Sequence, residues 1–289
     1  MTYNQPEDTK INAIRKLQKL LIYIFITLLC FLFMTPFLIM LSRSFMSANE
    51  VIMDLPEKFF PSRLNFEAYY IWFDSGYLQN FLNTVYIIIL NLIGIPLSAS
   101  ICAFGFSKLN FAGRDIMFLV VLSTLMIPSI TMQIPLYMIY YRLNWTNTIF
   151  PLFLPAWFGG GAINIFMLKQ FMRGIQNDIV QAATIDGANY LLIYFKIILP
   201  ICRPMLTLIM VQTFMACWND YSGALMFLSG SPRSNYTLAL ALFYDFQNGS
   251  IALNAKMAAG VLVMIPCFII FGIFQKNMIF GVNIGAVKG

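Results

Sequence analysis

Histidine is absent from this 289-residue chain, and charge is scarce: Lys, Arg, Asp and Glu together make up only 10% of it. Without an imidazole there is no Ser-His-Asp triad and no histidine metal site. Cysteine is sparse too. Cys30, Cys102, Cys202, Cys217 and Cys267 show no C-x-x-C spacing and fall in or beside apolar stretches, which reads as small buried hydrophobes. No G-x-x-x-x-G-K-[ST] run is present, so the chain has no P-loop with which to split ATP. It therefore reads as a non-enzyme with no metal or cofactor of its own.

What the chain has in abundance is apolar surface: 60% hydrophobic residues, 16% aromatic, and a mean hydropathy of +0.75. A soluble domain carries about 45–50% apolar and about 25% charged residues. No charge occurs over residues 20–42, 75–107, 116–141, 143–168 or 257–275. Each run approaches or exceeds the roughly 20 residues that cross a bilayer. The spacing predicts an all-α polytopic membrane protein with six transmembrane helices, at about 20–41, 81–106, 116–138, 149–171, 204–228 and 257–280, with Asp220 in the outer half of the fifth. The first span is longer than a signal-peptide core and lacks a small-residue cleavage site, so it reads as a retained anchor. Pro36, Pro96, Pro128, Pro135 and Pro266 fall in or at the ends of spans, which predicts irregular helices.

Basic residues set the orientation. Lys10, Arg15, Lys16, Lys19, Lys108, Arg114, Lys169, Arg173, Lys196, Arg203, Lys276 and Lys288 fall on one side, against Arg43, Lys58, Arg63, Arg142, Arg233 and Lys256 on the other. The side richer in Lys and Arg is cytoplasmic. Residues 1–19 thus form a cytoplasmic N-terminal segment, 20–280 the six-helix domain, and 281–289 a cytoplasmic tail. The net charge of +6 is a topology signal and does not point to nucleic acid.

The segment over 172–201, between the fourth and fifth spans, is too long for a turn. Asp178 and Gln181 have the spacing of a capping box, Ala182 and Ala183 favour helix, and Gly187 can end it in a left-handed conformation. A short cytoplasmic helix over 178–187 is expected. The full run Q-A-A-T-I-D-G-A, Gln181 to Ala188, followed by Phe195, Ile197, Leu199 and Pro200, resembles the EAA loop of bacterial ABC importer permeases. Further parts of the chain resemble sugar-uptake members of that family. These are Asn83-Thr84, the W-N-D-Y of Trp218 to Tyr221, Tyr236-Thr237-Leu238, and an ending that runs from Pro266 through Gly281 and Gly285 to Lys288 and Gly289.

The resemblance implies a type I ABC importer permease in the bacterial cell membrane, of the shorter maltose type. Its implied partners are a second homologous permease, two ATP-binding subunits that hold ATP and Mg, and an extracytoplasmic sugar-binding protein. Asp178, Gln181, Ala182, Ala183, Asp186, Gly187 and Ala188 would couple to the ATPase, with Lys288 and Gly289 of the tail reaching the same subunits. Gln181 stands where the family has Glu, so a charge-assisted contact there is in question. Gly159, Gly160 and Gly161 lack a following Lys and read as close packing or a local break. A pyranose presents both C–H and O–H faces. On that ground Asn91, Gln133, Tyr137, Trp157, Asn164, Gln212, Asn219 and Asp220 are candidates to line the substrate pathway. The alternative is a secondary sugar transporter, which needs intramembrane ionisable groups; Asp220 is the one candidate.

Overall fold

The computed structural model describes residues 6–53, 59–249 and 251–286, and among these there is no strand. In chain order come α1 (Pro6–Ser44), α2 (Ala48–Met53), α3 (Glu67–Asp74), α4 (Tyr77–Lys108), α5 (Arg114–Ser123), α6 (Ser129–Arg142), α7 (Ala162–Arg173) and α8 (Asn177–Ile185). Then follow α9 (Tyr190–Ile193), a π-helical turn over Tyr194–Ile198, α10 (Leu199–Ile201), α11 (Arg203–Trp218), α12 (Ser222–Leu228), α13 (Leu238–Gln247) and α14 (Leu253–Ala286). By length and composition α1, α4 and α14 cross a bilayer unbroken. Two bent pairs raise the number to five: α5 with α6, turned by 102°, and the stretch from α9 to α10 with α11, turned by 75°. The all-α, membrane-crossing class matches the sequence reading, but the third, fourth and fifth stretches are interrupted. The last helix also runs on to Ala286, past the expected end near 280.

Each interruption has a local cause. Ile127, which precedes Pro128, takes φ −83°, ψ 117°, the extended geometry a following proline favours, and α6 begins only beyond it. In the fourth stretch two 3₁₀ turns, Phe150–Leu152 and Leu154–Trp157, lead to Gly159, Gly160 and Gly161 at φ 100°, 65° and 89°. Such a run is open to glycine and strained for other residues. In the fifth, α11 stops at Trp218 and Asp220 Oδ1 accepts from Gly223 N at 2.8 Å at the start of α12.

Two compact units make up the chain: residues 1–72 with 251–263, and residues 73–250 with 264–289. Within the first, α1 is exposed along its apolar length, with Phe31 and Phe33 each at 68%, as befits a helix covered by lipid or by another chain. Its C-terminal end is held by polar bonds: Ser44 Oγ meets Tyr69 OH at 2.7 Å, and Asn254 Nδ2 donates to Met46 O at 3.1 Å. Ala68, Ala255 and Ala258 pack together beside them.

The second unit is built around α4. Ala99, Ser100 and Ala103 are completely buried, and Phe104, Ile165, Leu168, Met172, Ile193 and Ile198 close around this small-residue face. The same helix serves the irregular fourth stretch. Asn91 Nδ2 donates to Leu152 O at 3.0 Å, and Ser98 Oγ donates to Ala156 O at 3.0 Å. In hydrocarbon those carbonyls would find no water, and each orphan would cost several kcal/mol. Nearer the start of α4, Asn83 Nδ2 donates to Ser234 O at 2.7 Å and Tyr236 O at 3.0 Å, and Thr84 Oγ1 accepts from Leu238 N at 2.8 Å. Tyr77 OH donates to Asp245 Oδ2 at 2.7 Å, and Arg233 pairs with the same carboxylate.

Close approach at α4 makes a paired prediction. A Cβ on Gly94 would sit 2.5 Å from the Trp157 ring, whereas one on Gly105 meets nothing within 4 Å. Gly94→Ala should therefore destabilise the protein by about 1–3 kcal/mol through overpacking. Gly105→Ala, on the same helix, should be neutral or stabilising by up to about 1 kcal/mol. Thermal unfolding in detergent checks this, and equal shifts for the two variants would contradict the packing described.

Candidate functional site

Helix α8 has one side in the core of the second unit and the other exposed. Val180 is buried and joins the core of Leu168, Met172 and Ile193, with Ala183 and Ala188 packed at its edge. Asp178, Gln181, Ala182, Ile185, Asp186 and Gly187 are exposed, and Ile185 reaches 86%. Ile179 is exposed as well, at 39%, so α8 carries uncovered apolar side chains while Val180 is seated in the core.

The C-terminus of α8 forms as the sequence predicts. Gly187 takes φ +84°, Gly187 N donates to Thr184 O at 3.0 Å, and Ala188 N donates to Ala183 O at 2.9 Å. That pair of bonds is a Schellman closure. Asn189 then caps α9 by accepting from Leu192 N at 2.8 Å, so D-G-A-N ends one helix and starts the next. The sequence reading missed Asn189, although an Asn right after a helix-ending Gly-Ala is a recognisable cap signal.

The N-terminus corrects the capping box. α8 begins at Asn177 with Gln176 at the N-cap position and no side-chain capping bond there. Asp178 is thus the second helical residue, where its charge still favours the positive helix end, and Gln181 is the fifth, too far along to reach back to the cap. The start is fixed from outside the helix instead: Lys108 Nζ, at the end of α4, donates to Ile175 O at 2.7 Å and Asn177 Oδ1 at 2.9 Å. A cation from far along the same chain replaces the local cap, which no local pattern could show. Beyond α9, Tyr194 OH and Ser100 Oγ of α4 lie 2.7 Å apart in the core. Lys288 and Gly289 lie outside the described residues.

The pathway candidates separate into two groups. Asn91, Trp157 and Asn164 gather at the broken fourth stretch: Asn91 donates to Leu152 O, the Trp157 indole lies against Gly94, and Asn164 Nδ2 donates to Gly160 O at 2.7 Å. Asn219 Nδ2 donates to Met215 O at 2.8 Å, and Asp220 serves the start of α12. These polar groups are spent largely on backbone. Tyr137 stacks on Phe227 with ring centroids 6.2 Å apart, Gln133 is half-buried on α6, and Gln212 is exposed on α11. Among the described residues no cluster of His, Cys, Asp and Glu could hold a metal.

Several apolar helices long enough to cross a membrane, two of the stretches bent, and a short core-seated helix between them mark a multi-pass membrane protein. Residues 94–283 match the family described as the binding-protein-dependent transport system inner membrane component, and the chain belongs to it. The arabinooligosaccharides transport system permease protein AraQ of Halalkalibacterium halodurans is 30% identical over 265 residues, covering 90% of this chain and 93% of that protein. The maltodextrin transport system permease protein MdxG of Bacillus subtilis is 29% identical over 282 residues, covering 96% and 99%. A crystal structure of a bacterial ABC transporter involved in the import of the acidic polysaccharide alginate matches with a TM-score of 0.78 at 20% identity, over 96% of this chain and 99% of that chain. At that identity the likeness shows the fold, that of an ABC importer permease.

The Lys108 anchor is directly testable. Lys108→Met removes two charge-assisted bonds, each worth about 1.5–3 kcal/mol. Amide exchange at residues 181–185, whose N–H groups bond back to the first carbonyls of α8, should accelerate by about tenfold or more, with α4 itself unchanged. Unaltered exchange across residues 181–185 would show that α8 holds its position without the lysine.

Proposed function

We propose that the chain is one of two permease subunits of an ATP-driven importer for oligosaccharides, coupled to cytoplasmic ATPases through α8. The observation that carries the coupling role is Ile185, an apolar side chain in the open on a helix whose Val180 face is fixed in the core. The substrate class is supported by relatives named for arabinooligosaccharide and maltodextrin transport. The excess of Lys and Arg on the side that carries α8 supports a cytoplasmic position for it and for both termini.

In this reading an external binding protein delivers the sugar, and a second permease completes the pathway. Closure of two ATPases on ATP moves α8. That motion passes into α9 and the π-helical turn, where Tyr194 bears on Ser100 of α4. The sugar shifts the balance between inward- and outward-facing states only by its differential affinity for them. Gln133, Tyr137, Trp157 and Gln212 retain polar or aromatic surface for a sugar, while the others are largely engaged within the fold. Engagement of Asp220 at the start of α12 also weighs against the secondary-transporter alternative, which needs a free intramembrane acid.

Ile185→Glu tests the coupling role. At so exposed a position it should change stability by no more than about 0.5 kcal/mol. Sugar uptake and co-purification of the ATPase should nonetheless both be lost, with normal amounts of permease in the membrane. Wild-type uptake by this variant would remove α8 from the coupling interface.

A further inference from the structure

Beside α8 lies a cleft of about 550 Å³. Ser107, Lys108, Asn110 and Arg114 line it from the end of α4 and the turn into α5, and Gln181 and Tyr190 line it from the other side. Two of its lining residues are cations, and none is Asp or Glu. The two cations are already fixed. Lys108 is bonded to Ile175 O and Asn177 Oδ1, and Arg114 is bonded to Leu109 O, Asn110 Oδ1 and the neighbouring Asp115. An ammonium has three donors, so Lys108 keeps one free for an anion.

The depth of the cleft follows from what adjoins it. The long apolar helix α4 ends at Lys108, and α5 turns apolar immediately after Asp115, with Ile116, Leu119 and Val120 exposed at 70%, 64% and 60%. Arg114, which lines the cleft, is the first residue of α5, and the exposed apolar residues of that helix begin two positions later at Ile116.

We propose that this cleft is a binding site for an anionic phospholipid. Its phosphodiester lies against Lys108 and Arg114, its headgroup hydroxyls bond to Ser107, Asn110 and Tyr190, and its acyl chain runs along α5. Basic pockets at the polar edge of a bilayer select anionic headgroups, and a soluble anion would have no use for the adjoining apolar face. Because Gln181, Thr184 and Ile185 of α8 line the same cleft, an occupied site ties α8 to the bilayer surface. The site shares Gln181 and Ile185 with the α8 face proposed for the ATPase, whereas its two cations lie on the α4 and α5 side, so lipid retention by the permease alone is read independently of ATPase binding.

Native mass spectrometry of the full-length chain, purified in mild detergent and titrated with phosphatidylglycerol or phosphatidylcholine, tests it. The wild type should retain phosphatidylglycerol preferentially. Arg114→Gln should reduce that preference by about fivefold, the contribution of one cation near a membrane surface. Arg114→Lys should preserve most of it, and Arg173→Gln, a basic residue that does not line the cleft, should leave it unchanged. Circular dichroism confirms that the variants are folded. Equal retention of the two lipids, or an equal loss in the Arg114→Gln and Arg173→Gln variants, would overturn the site. Displacement of phosphatidylglycerol by millimolar inorganic phosphate would reassign it to a small soluble anion.

Discussion

The fold of the second unit depends on one constraint: backbone that leaves the helical path inside a bilayer must have its polar groups satisfied by protein. The stretch from Phe150 to Gly161 leaves that path, and α4 answers it group by group. Asn91 and Ser98 supply donors, Gly94 makes room for the Trp157 indole, and Ala99 lies beside Gly160. A uniformly leucine-rich helix of the same length would cross the membrane equally well but could not host this break. The small and polar residues of α4 are therefore the residues that decide the architecture.

The same helix also organises the chemistry at its two ends. At one end Asn83 and Thr84 hold the segment that leads into α13. At the other, Lys108 holds the start of α8 and Ser100 meets Tyr194 beyond it. Seated in this way, α8 is joined through α9 to the π-helical turn over Tyr194–Ile198, a geometry that is often found at functional positions in helices.

Much of this was legible in the sequence, and the residues show why. Helix class followed from charge-free runs, and Gly187 announced the end of α8 because only a left-handed residue closes that motif. Asn83-Thr84 and Tyr236-Thr237-Leu238, two separate family-like motifs, turn out to be hydrogen-bond partners, which neither could reveal alone. The triple glycine was read as close packing or a break and is both. The misreadings have a common origin. Hydropathy counts apolar residues and is blind to where a span bends: the prolines announced an irregularity near Pro128, but nothing marked the break at Asn219 to Tyr221. The capping box failed because a lysine about 70 positions earlier in the chain sets the helix start, and short-range patterns carry no record of it.

We propose that ATP binding by partner subunits drives sugar across a membrane through this chain. The most direct test is uptake of an oligosaccharide, presented by the external binding protein, into proteoliposomes that hold this permease with its second permease and ATPases. Accumulation should require ATP inside the vesicles and should persist when proton and sodium gradients are abolished. Uptake that proceeds without ATP and collapses with an ion gradient would contradict the account.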